Sequence, residues 1–97
     1  MKKPKVMVVC GFGLGSSMIL RLKLDTVLKK HGLAANTFCA DAMTAKGEHF
    51  DIVFTSKELV DTFAGIPQPV VVIQNFMSEA EIAEKGVPAI EALIESA

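Results

Sequence analysis

Only two cysteines, Cys10 and Cys39, occur in the 97 residues. Two thiols are too few for the disulfide framework that staples small secreted domains, and a reducing cytosol would keep both free. The chain also lacks an excess of either charge: ten Lys and Arg face eleven Asp and Glu, for a net charge of −1. That excludes nucleic-acid binding driven by bulk positive charge. No apolar run approaches the roughly 20 residues needed to span a bilayer, so direct membrane insertion is not expected. The opening "MKKPKVMVVC" places basic residues before an apolar run, as a signal peptide does. That run covers only residues 6–10, short of the roughly 7–15 of a signal h-region, and it leads into glycine rather than a small-residue cleavage site. The expectation is an unprocessed cytoplasmic protein. Internal repeats, low-complexity segments and interdomain linkers are absent, which makes residues 1–97 a single expected domain. The cysteines and the two histidines, His31 and His49, lack metal-ligand spacing, so neither a metal nor any other cofactor is expected.

Half of the chain is apolar, at 51%, enough for one modest core. Lys5 to Val9 is a β-rich run that reads as a buried first strand. Regularity breaks from Gly11 to Gly15. "SSMILRLKLDTVLKKHG" then reads as a helix capped by Ser16 or Ser17 and closed by Lys29, Lys30, His31 and Gly32. Its core stripe is Leu20, Leu24, Val27 and Leu28. "LAANTFCAD" is a second strand centred on Asn36 to Cys39, and residues 41–50 form a loop with room for one helical turn. "FDIVFTS" is a third strand, and Ser56 is placed to cap a short helix through Phe63. "GIPQP" is a turn and "VVVIQN" a fourth strand. In "SEAE", Ser78 suits an N-cap, with Glu81 reaching back to complete a capping box. That helix is expected to stop at Gly86, with Pro88 in the first turn of a final helix ending near Glu95. The five glutamates of this last segment, Glu79, Glu81, Glu84, Glu91 and Glu95, read as a solvated helix face. Strands alternating with helices imply an α/β fold: one four-stranded parallel sheet of order 2-1-3-4 with helices on both faces. The end of the first strand then falls at the switch point, where open α/β sheets bind ligands.

At that point stands "VVCGFGLGSS", residues 8–17. Gly11, Gly13 and Gly15 allow backbone angles closed to other residues, so successive N–H groups can turn inward as an anion-binding nest. The helix that follows aims its free N–H groups and positive dipole end into the same space. A cysteine at the edge of such a cradle is favoured as thiolate, and a thiolate beside a phosphate site is an attacking group beside its substrate. The expected chemistry is phosphoryl transfer through a phosphocysteine on Cys10. The glycines are spaced wrongly for a dinucleotide fingerprint, and no lysine completes a Walker A loop. Cysteine phosphatases carry C-x5-R, whereas the sixth residue after Cys10 is Ser16. The missing arginine would have clamped the phosphoryl group. The loop also lacks an evident acid for a leaving alcohol, Asp41 being the distant candidate.

"CGFGLGSSMILRLKLD" resembles the phosphocysteine loop and first helix of enzyme IIB components of the bacterial phosphoenolpyruvate-dependent sugar phosphotransferase system, of the ascorbate, galactitol and pentitol type. The likeness spans the whole chain, though only the loop and "SSM" are specific. It implies a Rossmann-like domain similar in fold to low-molecular-weight tyrosine phosphatases. It also implies that Cys10 accepts a phosphoryl group from a phosphohistidine of a IIA component and passes it to a sugar, ascorbate or a pentitol or galactitol. That sugar is held by the membrane-embedded IIC component, so the chain would sit in the cytoplasm, peripherally associated with the membrane. Gly11, Phe12, Gly13, Leu14, Gly15 and Ser16 would form the cradle, with Ser16 and Ser17 as hydroxyl donors. The alternative is a small cysteine phosphatase or arsenate-reductase-like enzyme.

Met18 and Leu22 fall opposite the core stripe of the first helix, near Arg21, Asp25 and Lys29. Lying within two turns of the cradle, Phe12, Met18 and Leu22 read as part of a docking surface for successive protein partners. Cys39 reads as a small buried hydrophobe on the neighbouring strand. Phe50, Ile52, Val53, Val70, Val71, Val72 and Ile73 read as core.

Overall fold

The computed structural model describes residues 3–9, 14–41 and 43–95. In chain order it contains β1 (Lys5–Val9), α1 (Leu14–Lys30), β2 (Asn36–Ala40), a 3-10 turn (Ala45–Gly47), β3 (Ile52–Thr55), a second 3-10 turn (Val60–Phe63), β4 (Val70–Val72) and α2 (Glu79–Glu95). All pairings are parallel and the sheet order is β2-β1-β3-β4, as the alternation of elements predicts. The register sets Val8 between Cys39 of β2 and Phe54 of β3, and Val9 between Ala40 and Thr55.

The two faces of the sheet are covered unequally. Val6, Val8, Ile52 and Phe54 point toward α1 and α2, which both lie on this side. The predicted stripe Leu20, Leu24, Val27 and Leu28 is buried against them. Each such side chain taken fully from water stabilises the fold by roughly 1.5–3 kcal/mol. Met7, Val9 and Val53 point the other way, where Ala45, Phe50 and Phe63 cover them from the two 3-10 turns and the adjoining loop. The helix expected after Ser56 is thus a turn of Lys57–Leu59 and one 3-10 turn, too short to form an α-helical layer, so among the described residues α-helices cover one face of the sheet and not both as expected. On the edge strand β4, Val71 is buried, whereas Val70 and Val72 are only half-buried.

Helix α1 ends as its sequence requires. Gly32 takes a φ of +68°, its N–H donates to the Lys29 carbonyl at 3.2 Å, and the Leu33 N–H donates to the Leu28 carbonyl at 2.9 Å. This is a Schellman closure, with Leu33 packed against the core that holds Leu28. At the other end the helix begins at Leu14, so Ser16 and Ser17 are its third and fourth residues and not its caps.

The end of the chain departs from the sequence reading. Residues Glu79–Glu95 form one helix, with neither a stop at Gly86 nor a restart at Pro88. Gly86 is buried inside it, because a Cβ there would come 2.7 Å from the Phe54 ring. The glycine therefore lets the helix approach β3. Pro88 removes one backbone donor, a defect of roughly 3 kcal/mol in a helix interior. The buried stripe Ile82, Gly86, Val87 and Ile90 continues across it and holds the helix together through packing. The expected outcome for Gly86→Ala is a loss of about 1–2 kcal/mol in urea denaturation, because overpacking against Phe54 outweighs the higher helix propensity of alanine. Adding Phe54→Leu to Gly86→Ala is expected to cost less than the sum of the two single changes. Additivity, or a Gly86→Ala protein more stable than the parent, would show that this contact does not constrain the helix.

Candidate functional site

The connections that leave the C-terminal ends of the strands define one end of the sheet. From β1 the chain runs through α1 to β2 on one side, and from β2 it crosses back over β1 to β3 on the other. The gap between β1 and β3 is therefore the switch point, where the C-terminal edge of an open parallel sheet is left uncovered. The last paired residues there are Val9 and Thr55. Cys10, Gly11, Phe12 and Gly13, the core of the sequence-predicted phosphate cradle, lie outside the described residues. Leu14, Gly15 and Ser16 form the first helical turn, whose amides have no intrahelical carbonyl to receive them, and which carries the positive end of the helix dipole. Gly15, expected within the break, is helical.

A cleft of about 520 Å³ opens at the same end, between the mouths of β3 and β4. It is lined by Ser56, Lys57, Glu58, Ile73, Gln74, Asn75 and Phe76. Its β4 wall is held by Glu81. The carboxylate accepts the Gln74 N–H at 2.7 Å, the Asn75 N–H at 2.8 Å and the Lys85 ammonium at 2.7 Å. The predicted capping box is thus half formed. Ser78 Oγ accepts the Glu81 N–H at 3.1 Å, but the Glu81 side chain reaches past the cap to the loop before it. Burial pushes the Glu81 carboxyl up, yet the Gln74, Lys85 and Asn75 hydrogen bonds outweigh this and leave it below the usual range. Glu79 is held low as well, chiefly by Lys30, and bridges Lys30 at 2.9 Å and Lys23 at 3.4 Å, joining α2 to α1. Two of the five glutamates read as a solvated face are therefore tied into the fold.

Met18 and Leu22 are exposed, at 51% and 62%. Ile19, Met43 and Met77 are exposed too and were missed from the sequence. Met18 and Ile19 lie in the first half of α1, Met43 in the loop after β2 and Met77 in the loop before α2, all on segments that leave the same end of the sheet, whereas Leu22 stands at the middle of α1. Spacing alone could not place Met43 and Met77, because both sit in loops. The charged neighbours of Leu22 are partly engaged. Thr37 Oγ1 donates to Asp25 at 2.7 Å and accepts from Arg21 Nε at 3.2 Å, fastening α1 to β2. Cys39 is a free thiol of intermediate exposure beside Val8. Asp41, the candidate acid, accepts the Thr44 N–H at 2.9 Å and the Thr44 hydroxyl at 3.0 Å. These bonds hold its carboxyl below the usual range, which favours the ionised form over a proton donor. Among the described residues, no helix is long and apolar enough to cross a membrane, and no group of His, Cys, Asp or Glu is placed to hold a metal ion.

Together these features define a small parallel α/β domain with a topological switch point between β1 and β3. The chain belongs to the IIB family of the phosphotransferase system, and its role is that of a IIB component in sugar phosphotransfer: the family model for the lactose/cellobiose-specific IIB subunit matches residues 5–86. A curated relative, the ascorbate-specific EIIB component of Mycoplasma pneumoniae, is 30% identical over 86 residues, covering 86% of this chain and 90% of the relative. The lactose-specific IIB domain of Streptococcus pneumoniae superposes with a TM-score of 0.58 over 97% of both chains. At 16% identity that likeness speaks for the fold alone.

Glu79 and Glu81 both have lowered folded pKa values, so their stabilising contribution is complete above the ordinary glutamate value of about 4.3. It drains away as pH falls through the lowered values. Glu81→Gln is expected to lose about 1.5 kcal/mol at pH 7, as two backbone hydrogen bonds and an ion pair weaken. Its stability should also fall less steeply than that of the parent on acidification below about pH 4.3. Urea denaturation across that range checks both; parallel curves for the two proteins would remove Glu81 as the acid-sensitive clamp.

Proposed function

We propose that residues 1–97 act as a single phosphotransferase IIB domain that relays a phosphoryl group on Cys10. The observation that carries this reading is the register at the switch point. β1 ends at Val9 between two parallel neighbours, and the next residue in the chain is a cysteine followed by a glycine loop and a helix N-terminus. In the first step the Cys10 thiolate attacks the phosphorus of a phosphohistidine on a IIA component. The S–P bond forms as the N–P bond breaks, and the imidazole keeps the electron pair and takes up a proton. In the second step a sugar hydroxyl on the IIC component attacks the same phosphorus. The S–P bond breaks, sulfur leaves as thiolate, and the hydroxyl proton passes to a base on the partner side or to water. Gly11, Phe12, Gly13, Leu14, Gly15 and Ser16 supply the cradle, with Ser16 and Ser17 as hydroxyl donors.

The name of the Mycoplasma pneumoniae relative supports ascorbate as the sugar, ahead of a pentitol or galactitol. Phe12, Met18 and Leu22 belong to the docking surface, and the exposure of Ile19, Met43 and Met77 at the same end of the sheet extends it. Because IIA and IIC take turns there, the contact is small and short-lived. The protein works in the cytoplasm and meets the membrane only through IIC. Ester hydrolysis is disfavoured by Ser16 in place of a clamping arginine and by an ionised Asp41.

After incubation with phosphoenolpyruvate, the general phosphotransferase proteins and a cognate IIA, intact-mass spectrometry is expected to find one added phosphoryl group. Cys10→Ser should abolish it. Met18→Asp with Leu22→Asp should slow labelling by about tenfold or more without unfolding the domain, as for loss of apolar contacts at an interface. An unlabelled Cys10 with every donor protein active, or rapid turnover of an aryl phosphate, would overturn the relay.

A further inference from the structure

The two edges of the sheet are finished differently. At the β4 edge the Ile73 N–H donates to the Thr55 carbonyl, so Ile73 turns its backbone groups to β3 and Val72 turns its own outward. The outward Val72 carbonyl accepts Lys85 Nζ at 3.2 Å. A strand of three residues with an ammonium over its edge is guarded against further pairing. At the β2 edge the Asn36 N–H donates to the Pro4 carbonyl. Asn36, Phe38 and Ala40 therefore turn their backbone groups to β1, and Thr37 and Cys39 turn theirs outward. Among the described residues no partner reaches those outward N–H and C=O groups. The strand is five residues long and holds neither a charged residue nor a proline.

The helix beside that open edge carries exposed apolar side chains. Arg21 and Asp25 of α1 meet Thr37 of β2, whereas Lys23 and Lys30 reach Glu79 of α2. These contacts identify the two flanks of the helix. Met18 and Leu22 stand three residues before Arg21 and Asp25, hence beside them around the helix and on the flank away from α2. Both are exposed. An unpaired backbone edge and an apolar helix flank thus run along one border of the molecule.

We propose that a second copy of this chain covers that border, its β2 pairing antiparallel with the first. A row of free N–H and C=O groups fits another extended strand. A two-fold axis at the level of Phe38 sets Thr37 opposite Cys39 of the second copy, and Cys39 opposite its Thr37. Each residue then exchanges both its N–H and its C=O. The same axis places the two α1 helices antiparallel on one face of a continuous sheet. Since α1 packs on both β1 and β2, the two helices lie about two strand spacings apart, roughly 9.6 Å. That matches the separation of packed helices, roughly 8–10 Å. Thr37 is bonded to Asp25, and β2 runs antiparallel to α1, so the axis at Phe38 passes near Leu22. Leu22 meets its own copy there. Arg21 and Asp25 stand on either side of the axis, so each faces the opposite charge on the second copy. The inference does not rest on the relay. Where Met18 and Leu22 also meet a partner component, the second copy and that partner exclude each other, and the dimer is the form that awaits a partner.

Sedimentation equilibrium up to about 1 mM protein is expected to show a reversible monomer–dimer equilibrium. Leu22→Asp should weaken it about tenfold or more. Cys39→Pro removes an outward N–H without touching a bond to β1, and should weaken it likewise while circular dichroism shows the fold retained. Cross-linking reads the register. In a Cys10→Ser background, Thr37→Cys should form an intermolecular disulfide with Cys39 of the second copy in a glutathione redox buffer. Residues of a hydrogen-bonded antiparallel pair have Cα atoms about 5.5 Å apart, within disulfide reach. The Cys10→Ser parent should cross-link about tenfold less, because its only thiols then sit diagonally across the axis. A chain that stays monomeric throughout overturns the proposal, as does a dimer that Leu22→Asp leaves intact. If Cys39→Pro fails to fold, the cross-link decides the strand pairing: a dimer without it refutes the β2 edge. Failure of Cys10 labelling removes the relay and leaves these results standing.

Discussion

Parallel pairing of β1 on both of its edges is the constraint from which the rest follows. Every residue from Val6 to Val9 is buried, with alternate side chains entering the two separate cores. A strand enclosed in this way cannot be joined to its neighbours by tight turns. Parallel neighbours require crossovers, and crossovers gather the outgoing loops of all four strands at one end. The exposed Met18, Ile19, Met43 and Met77, the cleft beside Ser56 and the start of α1 therefore share that end because of the topology, before any question of chemistry arises.

What the sequence reveals and what it hides divide along the range of the interactions. The α1 core stripe and the closure at Gly32 depend on residues close in the chain, and the strand order follows from the alternation of elements along it, so all are legible there. The fate of Gly86 and Pro88 depends on Phe54, more than thirty positions away. Read locally, a glycine followed by a proline ends a helix; in the folded protein the glycine is where α2 meets β3. The covering of the second sheet face shows the same limit. The segment after Ser56 has helical composition, but Phe63 is needed against Met7 and Val53, and one 3-10 turn suffices to bring it there. The residues that carry the family motif, Cys10 to Gly13, were legible as a motif and lie outside the described residues, so the sequence remains their source.

Charge is where local reading misleads most. The acidic start of α2 looks like a solvated surface, yet Glu79 joins two helices and Glu81 fixes the loop that walls the cleft. Exposed ion pairs such as Lys30–Glu79 contribute little to stability, because water screens both charges. Glu81 differs because its acceptors are spent on backbone amides of a loop whose position matters. Gln74 and Asn75 are held where they line the cleft, and the reach of one side chain from α2 sets the width of its β4 wall. The Arg21–Thr37–Asp25 group plays a comparable part between α1 and β2, and it fixes the helix that presents Met18 and Leu22.

A carrier and a phosphatase can share this scaffold and differ in what they leave out. A phosphatase must protonate a leaving alcohol and hold the transferring group tightly in the transition state, work done by an acid with a raised pKa and by a guanidinium clamp. Here Asp41 is hydrogen-bonded into its ionised form, and position 16 is serine. In the proposed cradle, neutral donors, the helix amides and hydroxyls, would stabilise a bound oxyanion without strongly favouring attack by water. On the proposed relay that is the useful balance. A phosphoryl group on sulfur has to survive until the sugar-bearing partner docks and then leave readily. A site furnished with hydrogen bonds in place of a fixed positive charge meets both demands, because hydrogen bonds can be exchanged for those of the incoming partner one at a time.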